Sequence, residues 1–159
     1  MPTVLIADDD ADHRELLTLA LRRFGHDVVE ATDARSVRRH LERGGIDAVL
    51  LDVRMPDESG IDLCRTLRDD PATASLPIML VSADVNDQRI AAARAAGADD
   101  YLTKPFQRTE LAARLDNVLR SRDLPAGEPA ASISAALLAA PERSDQKPAA
   151  ATITAGWLP

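Results

Sequence analysis

Hydrophobic residues recur along the first three quarters of the chain in two alternating patterns. Short apolar runs predict β-strands, and longer stretches with apolar residues three and four positions apart predict amphipathic helices. The predicted strands are Val4–Ala7, Asp27–Ala31, Asp47–Asp52, Ile78–Ser82 and Asp100–Thr103. A helical stretch follows each of the five strands, so the pattern indicates an α/β domain.

The helical stretches differ in the apolar surface that they offer. The stretch Arg89–Ala96 is rich in alanine and has little apolar surface beyond Ile90, so we expect it to be the least firmly packed helix. The other four have clear apolar stripes: Leu17, Ala20, Leu21 and Phe24; Val37 and Leu41; Ile61, Cys64 and Leu67; and Leu111, Leu115, Val118 and Leu119.

Strands that alternate with helices run parallel and are covered on both faces. Short right-handed crossovers favour a doubly wound sheet, and such sheets place their functional sites at the carboxyl ends of the strands. We therefore expect a five-stranded parallel sheet in the order 2-1-3-4-5, with the functional residues just after the strands.

The composition changes at Asp123, from where alanine, proline and serine dominate. Alanine buries too little apolar area to offset the entropy lost on ordering a chain. We predict a domain at residues 1–122 and a tail at 123–159 that is disordered or forms one short helix around Ile133, Leu137 and Leu138. Trp157 and Leu158 could contact a partner, although a tail with no specific role is the more frequent case.

Charge and composition exclude several classes of function. The net charge of −7 argues against broad nucleic-acid binding and against attraction to an anionic membrane. The single cysteine, Cys64, excludes an internal disulfide. Neither a membrane-spanning apolar run nor a signal-peptide pattern is present in the sequence. We expect a cytoplasmic protein without direct DNA binding or membrane attachment.

Polar residues follow four of the predicted strands. Asp8 and Asp9 come after the first strand, and Asp52 ends the third. Ser82 ends the fourth strand, and Lys104 follows the fifth. In the order 2-1-3-4-5 these strand ends meet in one crevice. Carboxylate oxygens suit Mg²⁺, and serine and lysine can donate hydrogen bonds to phosphoryl oxygens.

Four motifs in this order resemble the receiver domain of two-component response regulators. They are VLIADDD, LLDVRMPDESG, MLVSA and GADDYLTKPF, and the resemblance extends over roughly residues 3 to 120. It implies a flavodoxin-like (βα)₅ receiver fold and, because no effector domain follows in this sequence, a stand-alone receiver of the chemotaxis type. The implied cofactor is Mg²⁺.

The resemblance also implies a role for each residue of the crevice. Asp52 would be the phosphoacceptor. Asp9 and Asp52 would ligate Mg²⁺ directly, together with the backbone carbonyl of Arg54, and Asp8 would act through a water molecule.

The remaining implied roles concern the phosphoryl group and the switch. Ser82 and Lys104 would each contact a phosphoryl oxygen, and the bond between Lys104 and Pro105 would be cis, a form that X–Pro bonds accept at low cost. Tyr101 would turn inward when Ser82 moves toward the phosphoryl group.

The implied partners are proteins. A sensor histidine kinase or a phosphotransfer protein would donate the phosphoryl group. The face formed by helix 4, strand 5 and helix 5 would contact an unidentified downstream protein. Homodimerisation through this face would be weak at most, because Ala92 stands where a partnering arginine is expected. Such a protein is not an enzyme, since it catalyses only its own phosphorylation and dephosphorylation.

Two other classes of protein compete with this interpretation. A metal-dependent phosphatase with an aspartate nucleophile needs a second acid two residues later, where this chain has Arg54. A flavin-binding protein needs a phosphate loop rich in small residues after the first strand, where this chain has only acids. Both are therefore weaker hypotheses than the receiver.

Some neighbouring residues are interpreted without a role in phosphoryl transfer. Glu58 replaces the apolar residue usual at its position, in a loop expected to be exposed, so we expect little effect. Arg54 and Asp84 are expected to pair across the mouth of the pocket and to limit attack by water. The three histidines, His13, His26 and His40, do not have the spacing of metal ligands. The arginine-rich second helix is expected to be a solvated face, with Arg35, Arg38, Arg39 and Arg43.

Overall fold

Five parallel strands form one sheet in the order β2-β1-β3-β4-β5, as predicted. The computed structural model describes residues 1–121, and the predictions for the tail lie outside these residues. The strands are β1 (Thr3–Ala7), β2 (Asp27–Ala31), β3 (Ala48–Asp52), β4 (Ile78–Ser82) and β5 (Asp100–Thr103). The helices are α1 (Ala11–Arg23), α2 (Ala34–Arg43), α3 (Gly60–Asp69), α4 (Asp87–Ala95) and α5 (Arg108–Ser121).

Successive residues of the central strands point into two separate cores. In β1, Val4 and Ile6 pack with α1 and α5, whereas Leu5 and Ala7 pack with α2, α3 and α4. All five residues of β3 and of β4 are buried. Both faces of the sheet are therefore covered, which explains why these strands have continuous apolar runs.

The helix boundaries follow from local capping. The Asp10 side chain accepts hydrogen bonds from the backbone N–H groups of Asp12 and His13, so it caps α1. Asp33 and Ser36 form a capping box at the start of α2. Asp10 therefore acts as a helix cap, as expected for an aspartate that directly precedes a helix.

Two sequence predictions differ in detail from the fold, and one is confirmed. β3 begins at Ala48 and not at Asp47, whose carboxylate accepts a hydrogen bond from the Thr3 backbone N–H at 2.8 Å. Phe24 lies just beyond the end of α1 and is 43% exposed, so it does not extend the buried stripe. Ala93 is the single buried residue of α4, the fewest of the five described helices, as expected for its alanine-rich sequence.

No helix within residues 1–121 combines the length and the apolar composition needed to cross a membrane.

Replacing Gly60 by alanine is expected to destabilise the fold. A Cβ atom at this position would collide with the backbone carbonyl of Asp52 and lie 3.1 Å from the Val53 Cα. Backbone cannot move aside cheaply, so the loss should reach about 3 kcal/mol. Gly45→Ala is the control: its φ is +84° with open space around it, so the loss should be about 1 kcal/mol. Urea unfolding measures both, and equal losses would contradict the expectation.

The Cys64 thiol is expected to be unreactive in the folded protein. It is fully buried, and burial raises the pKa of this thiol to about 11. Very little reactive thiolate therefore exists at pH 8. Labelling with Ellman's reagent should be slow in buffer and complete in urea, and the Cys64→Ser variant supplies the blank. Full labelling of the folded protein within the mixing time would contradict this packing.

Candidate functional site

The carboxyl ends of β1 and β3 bring three aspartates together. One carboxylate oxygen from each of Asp8, Asp9 and Asp52 lies within 4.8 Å of the others. Asp8 and Asp52 are buried, and Asp9 is exposed. The parallel pairing of β1 with β3 places these residues at the same edge of the sheet. The cluster is a set of hard oxygen donors open to solvent on one side, which suits a cation such as Mg²⁺.

Lys104 supplies positive charge to this cluster. Its Nζ lies 3.3 Å from Oδ2 of Asp52 and 3.5 Å from Oδ2 of Asp8. The peptide bond between Lys104 and Pro105 is cis, as predicted. The backbone N–H of Lys104 donates to the Ser82 carbonyl at 2.8 Å, which ties the start of this segment to the end of β4.

The pKa values of the two buried carboxyls are shifted in opposite directions. Burial raises the pKa of Asp52 above its ordinary value, although Lys104 and the Arg54 backbone N–H act in the opposite direction. Burial alone would also raise the pKa of Asp8. There, however, hydrogen bonds from the Asp10 backbone N–H and from His13, together with the Lys104 charge, hold the pKa below its ordinary value.

Ser82 and Tyr101 are joined through one residue of the β4–α4 loop. The Ser82 hydroxyl oxygen accepts a hydrogen bond from the Asp84 backbone N–H at 3.1 Å. The Tyr101 hydroxyl donates to the Asp84 carbonyl at 2.8 Å, and the tyrosine is partly buried. Ser82 is 3% exposed and lies at the end of β4, beside the end of β3. The side chains of Ser82 and Tyr101 therefore share the Asp84 backbone as a hydrogen-bond partner.

Arg54 follows Asp52 by two residues, and its side chain is exposed. Its backbone N–H donates to Oδ1 of Asp52 at 3.1 Å. The expected pairing of Arg54 with Asp84 is replaced by another: Oδ2 of Asp84 lies 3.6 Å from Nε of Arg89, at the start of α4. Arg89 is closer in sequence to Asp84 and is carried toward it by the first turn of the helix.

His13 is a site neighbour that the search for ligand spacing missed. Its Nδ1 lies 2.9 Å from Oδ2 of Asp8, and its ring meets that of Phe106 edge-on, with centroids 6.5 Å apart. The sequence signal for this contact is the position of His13 in the first turn of α1, the helix that directly follows the acidic residues after β1. That turn carries His13 back toward the end of β1.

An apolar groove begins at His13 and extends along α1. It has a volume of about 750 Å³ and is lined by Leu16, Leu19, Pro105 and Phe106, with arginines at its rim. Leu16 is 65% exposed and Leu19 57% exposed. Both lie off the buried stripe of α1, which is the sequence signal for an apolar surface facing away from the core.

The family of the chain follows from sequence comparison. A model of the response regulator receiver domain matches residues 4–116. The phosphate regulon transcriptional regulatory protein PhoB of Pseudomonas aeruginosa is 39% identical over 118 residues, covering 74% of this chain and 52% of PhoB. The DNA-binding response regulator MtrA of Mycobacterium tuberculosis is 38% identical over 133 residues, covering 84% of this chain and 56% of MtrA. The chain thus spans about half the length of these relatives.

Solved structures agree with this match. A putative response regulator from Chloroflexus aurantiacus superposes with a TM-score of 0.73 at 37% identity, covering 76% of this chain and 99% of that one. The chemotaxis response regulator CheY4 of Vibrio cholerae gives a TM-score of 0.70 at 26% identity, covering 74% and 98%. Together with the aspartate cluster at the strand ends, these matches show that the chain belongs to the receiver domain family of response regulators.

Proposed function

We propose that the protein is a phosphorylation-switched receiver in which Asp52 accepts a phosphoryl group from a histidine kinase or a phosphotransfer protein. The observation that carries the proposal is the meeting of Asp52 with two further aspartates and Lys104 at one edge of the sheet. Phosphoryl transfer requires positioning and charge neutralisation above all, and these groups can supply both.

In the proposed reaction an Asp52 carboxylate oxygen attacks phosphorus while the bond from phosphorus to the donor imidazole nitrogen breaks. The electron pair of that bond goes to the nitrogen. Lys104 then transfers its contact from Asp52 to a phosphoryl oxygen. The Ser82 oxygen accepts from the Asp84 N–H, so the serine proton is free to be donated to another phosphoryl oxygen.

A divalent cation belongs to this proposal. Asp9 and Asp52 would hold Mg²⁺ directly, together with the Arg54 carbonyl, and Asp8 would act through water. When bound, the cation would neutralise charge that develops on the phosphoryl oxygens. The burial of Asp8 and Asp52 supports this assignment, because clustered buried carboxylates repel one another unless a cation compensates.

Output would be a protein contact on the face formed by α4, β5 and α5. The link from Ser82 through Asp84 to Tyr101 supports this direction of signalling. On the same face Arg114 pairs with Asp100 at 2.8 Å and with Glu110 at 3.2 Å within one chain. Because these side chains already pair within one chain, they are less available for ion pairs with a second copy of the protein. This favours at most a weak homodimer.

The protein would catalyse only its own phosphorylation and dephosphorylation, and it would work in the cytoplasm without binding DNA itself. Its net charge of −7 supports the last point.

The groove along α1 is the surface that we assign to the phosphodonor. It starts at His13, which contacts Asp8, so a helix lying in it would bring a donor histidine close to the acidic cluster. Exposed leucines on a helix suit an amphipathic partner helix.

Phosphorylation is expected to depend on Asp52 and on Mg²⁺. Incubation with acetyl phosphate and Mg²⁺ should add one phosphoryl group, detected by intact-protein mass spectrometry. Asp52→Asn should abolish the product because it removes the nucleophile, and EDTA should suppress it. Asp62→Asn changes an exposed aspartate on α3 and is the control that should be labelled normally. A labelled Asp52→Asn protein would refute the assignment.

Leu19→Glu is expected to impair transfer from a protein donor selectively. A buried charge in the interface should slow transfer from a phosphorylated kinase by about tenfold or more, as expected for loss of a central apolar contact. The rate with acetyl phosphate should change little. The measurement is transfer from each histidine kinase of the same genome, tested in parallel.

The control for this experiment is Ala91→Glu, which adds the same charge at an exposed position of α4 outside the groove. Equal transfer rates for the Leu19→Glu and Ala91→Glu variants would show that the donor binds elsewhere.

A further inference from the structure

Two neighbouring acidic side chains tie the loop between β3 and α3, residues 53–59, to helix α2. Asp57 accepts hydrogen bonds from the backbone N–H groups of Ala34 at 3.0 Å and Arg35 at 3.1 Å. These groups belong to the first turn of α2, where backbone N–H groups have no partner within the helix. The hydrogen bonds hold the pKa of the Asp57 carboxyl below its ordinary value.

Glu58 forms the second tie. Its two carboxylate oxygens accept hydrogen bonds from both terminal nitrogens of Arg38, at 2.8 Å and 3.0 Å. This bidentate geometry is stronger and more directional than a single contact. The sequence had suggested that Arg38 lies on a solvated face, whereas the structure pairs it with Glu58. The expectation that Glu58 has little effect stays a prediction.

The other end of the loop is fixed to the end of β3. The Val53 backbone N–H donates to the Val81 carbonyl at 3.0 Å, and the Gly60 N–H donates to the Val53 carbonyl at 2.8 Å. Gly60 packs directly against the Asp52 backbone. Arg54 therefore lies in a short segment that is anchored on both sides, next to the acidic cluster.

We propose that the ion pair between Arg38 and Glu58 is a positioning clamp that holds this loop in place and so raises the affinity of the acidic cluster for a divalent cation. The inference rests on the proposed function, in which the Arg54 carbonyl is a ligand. A loop that is already ordered loses less conformational entropy when the cation binds. Arg38 and Glu58 thus act through the loop and do not touch the cation.

A clamp and a simple charge effect predict opposite changes in cation affinity when Arg38 is removed. Removing Glu58 takes a negative charge from the region and weakens cation binding under either explanation. Removing Arg38 takes away a positive charge, so a field effect would tighten binding. A clamp predicts that the loss of Arg38 weakens binding, because the loop is released. The Arg38 variant therefore separates the two explanations.

Calorimetric titration of the full chain with Mg²⁺ tests the clamp. Arg38→Met and Glu58→Met should each raise the dissociation constant by about 3- to 10-fold, less than the about 10- to 100-fold typical of groups that contact a metal ligand. The double variant should match the single ones, because either change breaks the same pair. The charge-swapped variant R38E/E58R should recover most of the affinity.

Hydrogen exchange without metal supplies a second measurement. Peptides covering residues 53–59 should exchange faster in both single variants. Arg65→Met is the matched control: it breaks an exposed arginine–aspartate pair on α3, at 3.0 Å, and should change neither quantity.

The possible outcomes are distinct. Unchanged or tighter Mg²⁺ binding by Arg38→Met would overturn the clamp, even if the variant unfolds more easily. Mg²⁺ binding by the wild-type chain and acetyl phosphate labelling of Asp52 test the underlying function separately. If the wild type fails in both, the proposed function falls and the clamp with it.

Discussion

Repulsion among three carboxylates at one edge of the sheet is the constraint on which the rest of the site depends. Asp8 and Asp52 are buried, where a negative charge is costly unless it is compensated. Lys104 provides one compensating charge, and its Nζ lies within 3.5 Å of both carboxylates. The unequal environments separate the two carboxyls: the pKa of Asp8 is lowered and that of Asp52 is raised.

The sheet provides the rigidity that this cluster needs. Residues of β1, β3 and β4 are almost completely buried, and the register aligns the ends of these strands. The packing of these strands holds Asp8 and Asp52 close together, and under the proposed function a bound cation would offset their repulsion. The stability of two apolar cores thus supports an arrangement that would be unfavourable on a flexible loop.

The contacts around the site lie on two different faces of the sheet. On the face covered by α1 and α5, His13 joins the acidic cluster to the apolar groove. On the face covered by α2, α3 and α4, the chain of hydrogen bonds runs from Ser82 through Asp84 to Tyr101. Under the proposed function the phosphodonor would approach from the first face, and the response would appear beside α4. The Asp57 and Glu58 contacts join α2 to the β3–α3 loop.

The sequence by itself determined the elements, their order and the place where polar residues meet. Apolar periodicity reports which residues face the sheet, and strand ends follow from it, so Asp8, Asp9 and Asp52 could be assigned to one crevice. The tertiary structure alone decided the polar partners: Asp8 with His13, Asp84 with Arg89, and Arg38 with Glu58. Such pairs join residues on different loops and helices. Their formation depends on the path of each loop and on side-chain rotamers, which hydrophobic periodicity does not encode.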